Sequence, residues 1–588
     1  MTAKATSEKA DGRSAIPGLP FEEVSGGIAK DPASDRAVAR YQGWLRECQA
    51  THEKCQQSAF KGLPKRVLDL RNPDICGNVR LRKTNKDDIF DRYMALSYCW
   101  EGERPLLTLQ ENVHHHLQRI SWESLPSSYR DAVWLCRKLG IDYLWIDSLC
   151  IVQDDTTEWD HQTGITGDIY HNAKVVLVAA SSSKPSDSIL RRRYREIPWY
   201  ASLQEQQQKP VTVQAYQIRK HRYDDAAEET LITTRAWCYQ ERLMARRCLV
   251  FGAEETTFEC RVGCHCECTK LVTANKFSMR SRHKSQLMPD RLYVPLLQGS
   301  SPHLSTEDAY QYWRDAVFLY STKQLSVPTD RLAAFTALTR TIQAATDDEY
   351  YAGLWKADLI HQMIWLPCNS GWPFAPSFPN VNFEAYVAPT WSWASYPGGV
   401  MYGDKPPRIE EYQAKILDVS CTLTGQNRFG AVKSGYLLLH ARKIRAILAF
   451  RAFDDHTLSL RSDPSKPFRN WVTEILVGHT RMDFRDINLD CPVRAEHTTM
   501  RPGGIQQILQ PNFDALLISG ETVQDDCSGE ATLLWLTKTN VLVLADSNEL
   551  PQSYHRLGLV YISPDKQDEL EWWALAFKQS EFHEAHII

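Results

Sequence analysis

Leu125-Pro-Ser-Ser-Tyr-Arg-Asp-Ala-Val-Trp-Leu-Cys-Arg-Lys-Leu-Gly-Ile-Asp-Tyr-Leu-Trp-Ile-Asp-Ser-Leu-Cys-Ile-Val-Gln-Asp-Asp155 decides the fold. Ala132, Leu135, Cys136 and Leu139 recur at i, i+3, i+4 and i+7, so they form one apolar helical face. Gly140 follows where a left-handed cap is wanted, because a residue without Cβ takes positive φ at little cost. Tyr143-Leu144-Trp145-Ile146 is then a short bulky run, the mark of a strand covered on both faces. Helix, stop and buried strand together predict a parallel α/β sheet. Ligands of such sheets bind just outside the carboxyl ends of the strands, and Asp147 and Ser148 stand there.

Working outward, the strands of this core are Met94 to Ser97, Tyr143 to Ile146 and Lys174 to Ala180, with helices between them. A second helix from Thr233 to about Ala245 leads into strands at Cys248–Phe251 and Thr256–Cys260. Gly164 and Gly167 weaken the helix expected between Asp155 and Ala173 by roughly 1 kcal/mol each against Ala. Lys184 to Thr230 reads as loop and irregular hairpin, and Ser305 to Trp365 is helical by periodicity. From Ile409 onward the chain is strand-rich, and Trp391 and Trp393 alternate as strand neighbours filling a core. The division expected is a tail over 1–35, a lead-in over 36–91, the α/β domain over 92–268, a helical region over 300–400 and a β-rich domain over 401–588.

A length of 588 residues exceeds one core, and 43% hydrophobic with 24% charged residues is ordinary globular composition. A net charge of −4 over this length argues against a nucleic-acid partner. No run approaches the roughly 18 apolar residues of a membrane span. The first 35 residues lack the apolar centre of a signal peptide. Sixteen cysteines without a secretion signal read as reduced thiols, which places the chain inside the cell, in the cytoplasm.

Several constellations carry candidate chemistry. Asp147, Asp154, Asp155 and Glu158 cluster within one loop and the start of the next helix. The bland alternative is that Asp147 caps the following turn and that the pair Asp154 and Asp155 is the solvated first turn of the next helix. Cys150 could act as a nucleophile with His161 or His171 as base, against the commoner fate of a buried inert thiol. Ser97, Tyr98, Trp100, Ser148, Gln153 and Arg235 are candidate ligand contacts. Tyr98 or Trp100 offers a stacking face, and Arg235 a fork for phosphate or carboxylate. Cys260, Cys264, His265, Cys266 and Cys268 form one group of soft donors; Cys48, His52 and Cys55, with Cys76 beyond, form another. The Cys-x-Cys steps are tighter than a zinc knuckle, so both groups read as ordinary cysteines and no metal is assigned.

Three separated blocks resemble the heterokaryon incompatibility (HET) family of fungi: Tyr93 to Trp100, Asp131 to Asp155 continued by Ile169 to Ala173, and Arg235 to Leu243 with Arg246 and Arg247. The resemblance implies a TIR-like, flavodoxin-like parallel sheet with flanking helices, then a helical segment and a β-rich C-terminal region. It implies a self/non-self recognition protein linked to cell death, acting through self-association or with another incompatibility protein. Through enzymatic TIR domains it implies a small-molecule substrate, NAD, split at the N-glycosidic bond, with no resident cofactor. Two other readings stand beside it: a HET-like protein recruited into fungal secondary metabolism, and a non-catalytic scaffold.

Overall fold

A computed structural model of the protein describes residues 28–56, 64–71, 77–85, 93–193, 230–267, 305–367, 386–450 and 527–588, with short breaks at 101–102, 104, 404–408, 548–549, 551 and 563–566; the strand segments 2–4, 195–199, 211–216, 472–477, 480–483 and 487–489 are also described. Most of the N-terminal stretch expected to be a tail, Cys76 and Cys268 lie outside the described residues. The chain divides into two compact units, Met1–His303 and Leu304–Ile588.

The first unit is built on an eight-stranded sheet. Its elements are α1 (Asp35–Thr51), β1 (Arg66–Asp69), β2 (Arg80–Lys83), β3 (Tyr93–Ser97), α2 (Val113–Gln118), α3 (Ser127–Leu139), β4 (Tyr143–Trp145), α4 (Asp147–Cys150), α5 (Thr156–Asn172), β5 (Val175–Val178), α6 (Ala236–Met244), β6 (Arg247–Phe251), β7 (Thr256–Cys260) and β8 (Cys264–Cys266). The spatial order is β8-β7-β6-β5-β3-β4-β1-β2. The four central strands, β6, β5, β3 and β4, are parallel, and the strands outside them pair antiparallel. Taken in chain order, the parallel strands lie 2-1-3-4, the doubly wound order in which the chain reverses direction across its first strand. β3 and β4 are direct neighbours, with Met94 opposite Leu144.

Local chemistry explains the elements. Ala132, Leu135 and Cys136 are fully buried on α3, and Leu139 is half-buried. Gly140 takes φ 66°, and Ile141 N–H closes back on Cys136 O at 2.9 Å, the wrap that ends a helix on a left-handed residue. Tyr143, Leu144 and Trp145 are buried on both faces of the sheet. α5 runs unbroken through Gly164 and Gly167, held by tertiary packing that outweighs propensity. The excursion after Lys184 includes an antiparallel pair, Arg195–Trp199 against Val211–Tyr216.

The second unit opens with α7 (Thr306–Ser321) and α8 (Thr336–Thr346), then β9 (Ala414–Leu423), β10 (Val432–Phe450), β11 (Cys527–Thr537), β12 (Asn540–Asp546), β13 (Ser553–Tyr561), α9 (Gln567–Lys578) and β14 (Phe582–Ile587). Trp313, Val317 and Tyr320 on α7 are buried, as are Leu332, Phe335 and Leu338. β10 pairs β11, β11 pairs β12, β12 pairs β13, β13 pairs β14, and β14 returns to β10, closing a barrel. Closure removes the open strand edges that invite aggregation. Trp573 and Phe577 of α9 fill its core against Trp535. Trp391 and Trp393 are fully buried, but not as strand neighbours: Trp393 begins a short 3-10 turn, Trp393–Ser395, so they reach the core from a loop.

Candidate functional site

Adjacency of β3 and β4 determines what the sheet presents at its carboxyl edge. β3 ends at Ser97, with Tyr98 next, and Asp147 opens α4 directly beyond β4. A fourth polar group arrives from α6, which packs on both β3 and α5 and carries Arg235 at its N-cap. Ser97, Tyr98 and Ser148 are buried, whereas Asp147, Trp100 and Arg235 keep part of their surface open.

A chain of hydroxyls runs under the carboxylate. Tyr129 Oη donates to Tyr98 Oη at 2.6 Å, and Tyr129 Oη lies 2.8 Å from Ser148 Oγ. The Tyr98 hydroxyl acts to lower the Asp147 acid. Tyr129 spends its one proton on Tyr98, so it accepts from Ser148, and the order is Ser148 to Tyr129 to Tyr98. Ser148 N–H also donates to Asp147 Oδ1 at 2.7 Å. The Tyr98 and Tyr129 rings meet edge to face at 5.3 Å, which fixes both hydroxyls.

Electrostatics separate two acids here. Burial pushes the Asp147 carboxyl up to about 6, although Ser148 N–H, Tyr98 and the Arg235 charge pull the other way. Glu241, on α6, is pushed up to about 8, first by burial and then by the Asp147 charge. The influence is one-sided for a physical reason: Glu241 titrates beside an ionised Asp147, whereas Asp147 titrates beside a Glu241 that is already neutral. The hydroxyls of Ser97 and Tyr170 stand next to Glu241, yet its Oε2 is buried without a well-formed hydrogen bond. At neutral pH this strand-end cluster therefore holds one carboxylate, one neutral acid and one guanidinium.

The other candidates go elsewhere. Asp155 caps α5 by accepting from Glu158 N at 3.0 Å. Glu158 accepts from Val152 N at 3.0 Å and is paired with Lys65 and Arg66, so its charge is spent on tying β1 to α5. Cys150 is buried, receives Ile146 N–H at 3.5 Å, and has its thiol pushed up to about 12 by burial, the opposite of activation. Gln153 Nε2 donates to the Asp147 and Ile151 carbonyls at 3.0 and 3.2 Å, bracing the loop. The structure thus gathers Ser97, Tyr98, Trp100, Asp147, Ser148 and Arg235, and leaves Cys150, Asp155 and Glu158 as scaffold. The Trp100 ring stands 6.2 Å from that of Tyr98.

Sequence reading passed over Glu241, Tyr129 and Tyr170 as site residues. Glu241 falls six residues after Arg235, so helical spacing alone did not put the two at one end of the sheet. In the comparisons with known proteins, the family model described as Heterokaryon incompatibility protein (HET) matches residues 93–241. That interval begins at the first residue of β3 and ends at Glu241. No curated protein and no solved structure matches the chain.

Proposed function

Since this chain is a heterokaryon incompatibility domain protein, we propose that it is a self/non-self recognition effector whose strand-end hollow cleaves NAD at the bond between nicotinamide and ribose. The observation that carries the proposal is Asp147: an acid just past the carboxyl end of β4 in a parallel sheet, pushed up to about 6 by burial and within reach of the Arg235 charge.

In the proposed step the C1′–N bond breaks and its electron pair leaves with nicotinamide. The ribosyl carbon becomes oxocarbenium-like, and the ionised Asp147 stabilises that positive charge. Water adds at C1′ and gives its proton to Asp147, which releases it to solvent, leaving ADP-ribose. Tyr98 and Ser148 N–H hold the carboxylate in place. Arg235 supplies a charge for the pyrophosphate, and Trp100 a face for a flat ring. Neutral Glu241 keeps a second negative charge out of the hollow.

The test is nicotinamide release by the purified full chain. Asp147→Asn keeps the shape and removes the charge, so the rate should fall roughly 10²–10³-fold, the scale of losing one electrostatic stabiliser. An Asp147→Asn rate equal to wild type removes the assignment. Expression in yeast should slow growth in an Asp147-dependent manner if the product drives cell death; equal growth with both forms removes that part.

A further inference from the structure

Two cysteine groups that look unrelated along the chain meet in space. α1 carries Cys48 in its last turns, His52 caps it, and Cys55 ends the short turn that follows. Cys260 is the last residue of β7, more than two hundred positions away. The three sulfur atoms and one imidazole nitrogen all lie within 4.8 Å of one another. Cys260 Sγ is 3.3 Å from His52 Nδ1. Cys48, Cys55 and Cys260 are buried, and His52 is half-buried. We propose that Cys48, His52, Cys55 and Cys260 bind one zinc ion as a closed structural site.

The donor set is the first reason. Three thiolates and an imidazole match a Cys₃His tetrahedron, and four protein ligands leave no position for substrate. Ligand atoms around tetrahedral zinc lie about 3.5–3.8 Å apart, given Zn–S and Zn–N bonds near 2.3 and 2.0 Å. The observed group needs to contract by at most about 1.3 Å at its widest pair to reach that geometry. Spacing supports it too: Cys48 and His52 are four apart on one helical face, and the turn after α1 brings Cys55 round.

Arg247 is the second, independent reason. It is buried, its Nε donates to Cys48 Sγ at 3.2 Å, and its other partners are the Cys55 and Lys174 carbonyls. Among the described residues no carboxylate lies within ion-pair distance of it. A buried guanidinium without a counter-charge is costly, and three neutral thiols give it none. Three thiolates with Zn²⁺ carry a net −1, which Arg247 balances. A cation donating to a ligand sulfur is also the outer-shell contact that tunes such sites.

The run Cys264-His265-Cys266 does not join in. It forms β8, where His265 stacks on Trp44 at 6.3 Å. Zinc would bolt α1 and the turn after it to the end of β7, near the sheet edge. Looking for ligands inside each cysteine group conceals this, because the fourth ligand comes from the other group.

The full chain, expressed with zinc in the medium, is assayed for metal by mass spectrometry. About one zinc per chain is expected, falling to near zero in Cys48→Ser and Cys260→Ser and staying at one in Cys264→Ser. Should the first two variants fail to fold, the wild-type protein decides: cobalt exchange should give the visible bands of tetrahedral thiolate coordination. Alkylation should spare Cys48, Cys55 and Cys260 until a chelator is added. Wild-type protein that holds no zinc and takes up no cobalt overturns the proposal. So does a disulfide between two of these cysteines, or undiminished zinc in a folded Cys48→Ser/Cys260→Ser chain.

Discussion

Two clusters of buried polar groups sit in the first unit, and they are solved in opposite ways. At the α1–β7 junction every group has a partner: Arg247 faces a sulfur and two carbonyls, and three thiols and an imidazole face each other. At the ends of β3 and β4 the groups are left short. Glu241 has an oxygen without a good donor, and burial pushes the Asp147 acid up to about 6. Closed and fully hydrogen-bonded groups are what a joint needs. Perturbed acids are what chemistry needs, and holding two of them in one buried cluster costs stability.

The contrast can be broken first at Glu158. Its carboxylate is matched by Arg66 and Lys65, so Glu158→Ala strands Arg66 in the interior and should cost about 3–5 kcal/mol in denaturant unfolding. If the pair is only a joint, nicotinamide release per folded molecule should not change. A variant of normal stability with lost turnover would move Glu158 into the site.

Glu241 should respond with the opposite sign. Its acid is ordinary at 4.5 and pushed up to about 8 in the fold, so between those values the native chain binds more protons than the unfolded one. Stability therefore falls as pH rises through that window. Glu241→Gln removes the titration, and should raise stability by up to about 5 kcal/mol at pH 9 while leaving it nearly unchanged at pH 4. Melting curves at the two values decide it; a variant that is weaker at pH 9 would show that the carboxylate is needed as an anion. The smallest effect belongs to Asp155→Ala, which removes a helix cap and should cost about 1 kcal/mol with turnover intact.

Much of this was legible in the sequence, and the limits have physical causes. Periodicity and Gly140 marked α3 and its stop, because both are local. Bulk at Tyr143–Trp145 marked a covered strand, and Asp147 followed as its strand-end acid. What stayed hidden depends on strand order and on pairing over long separations. Glu241 reads as scaffold until α6 is packed over β3. Cys260 reads as part of its own run until β7 is set beside α1. Trp391 and Trp393 alternate like strand residues, yet a turn buries them equally well, because burial alone does not fix backbone conformation.

The pH dependence of nicotinamide release by the full chain tests the role proposed for Asp147 most directly. Turnover should rise with pH and reach half its plateau near pH 6, where Asp147 loses its proton, and this limb should vanish in Asp147→Asn. Release that is flat from pH 5 to pH 7, or a limb that persists in Asp147→Asn, would contradict it.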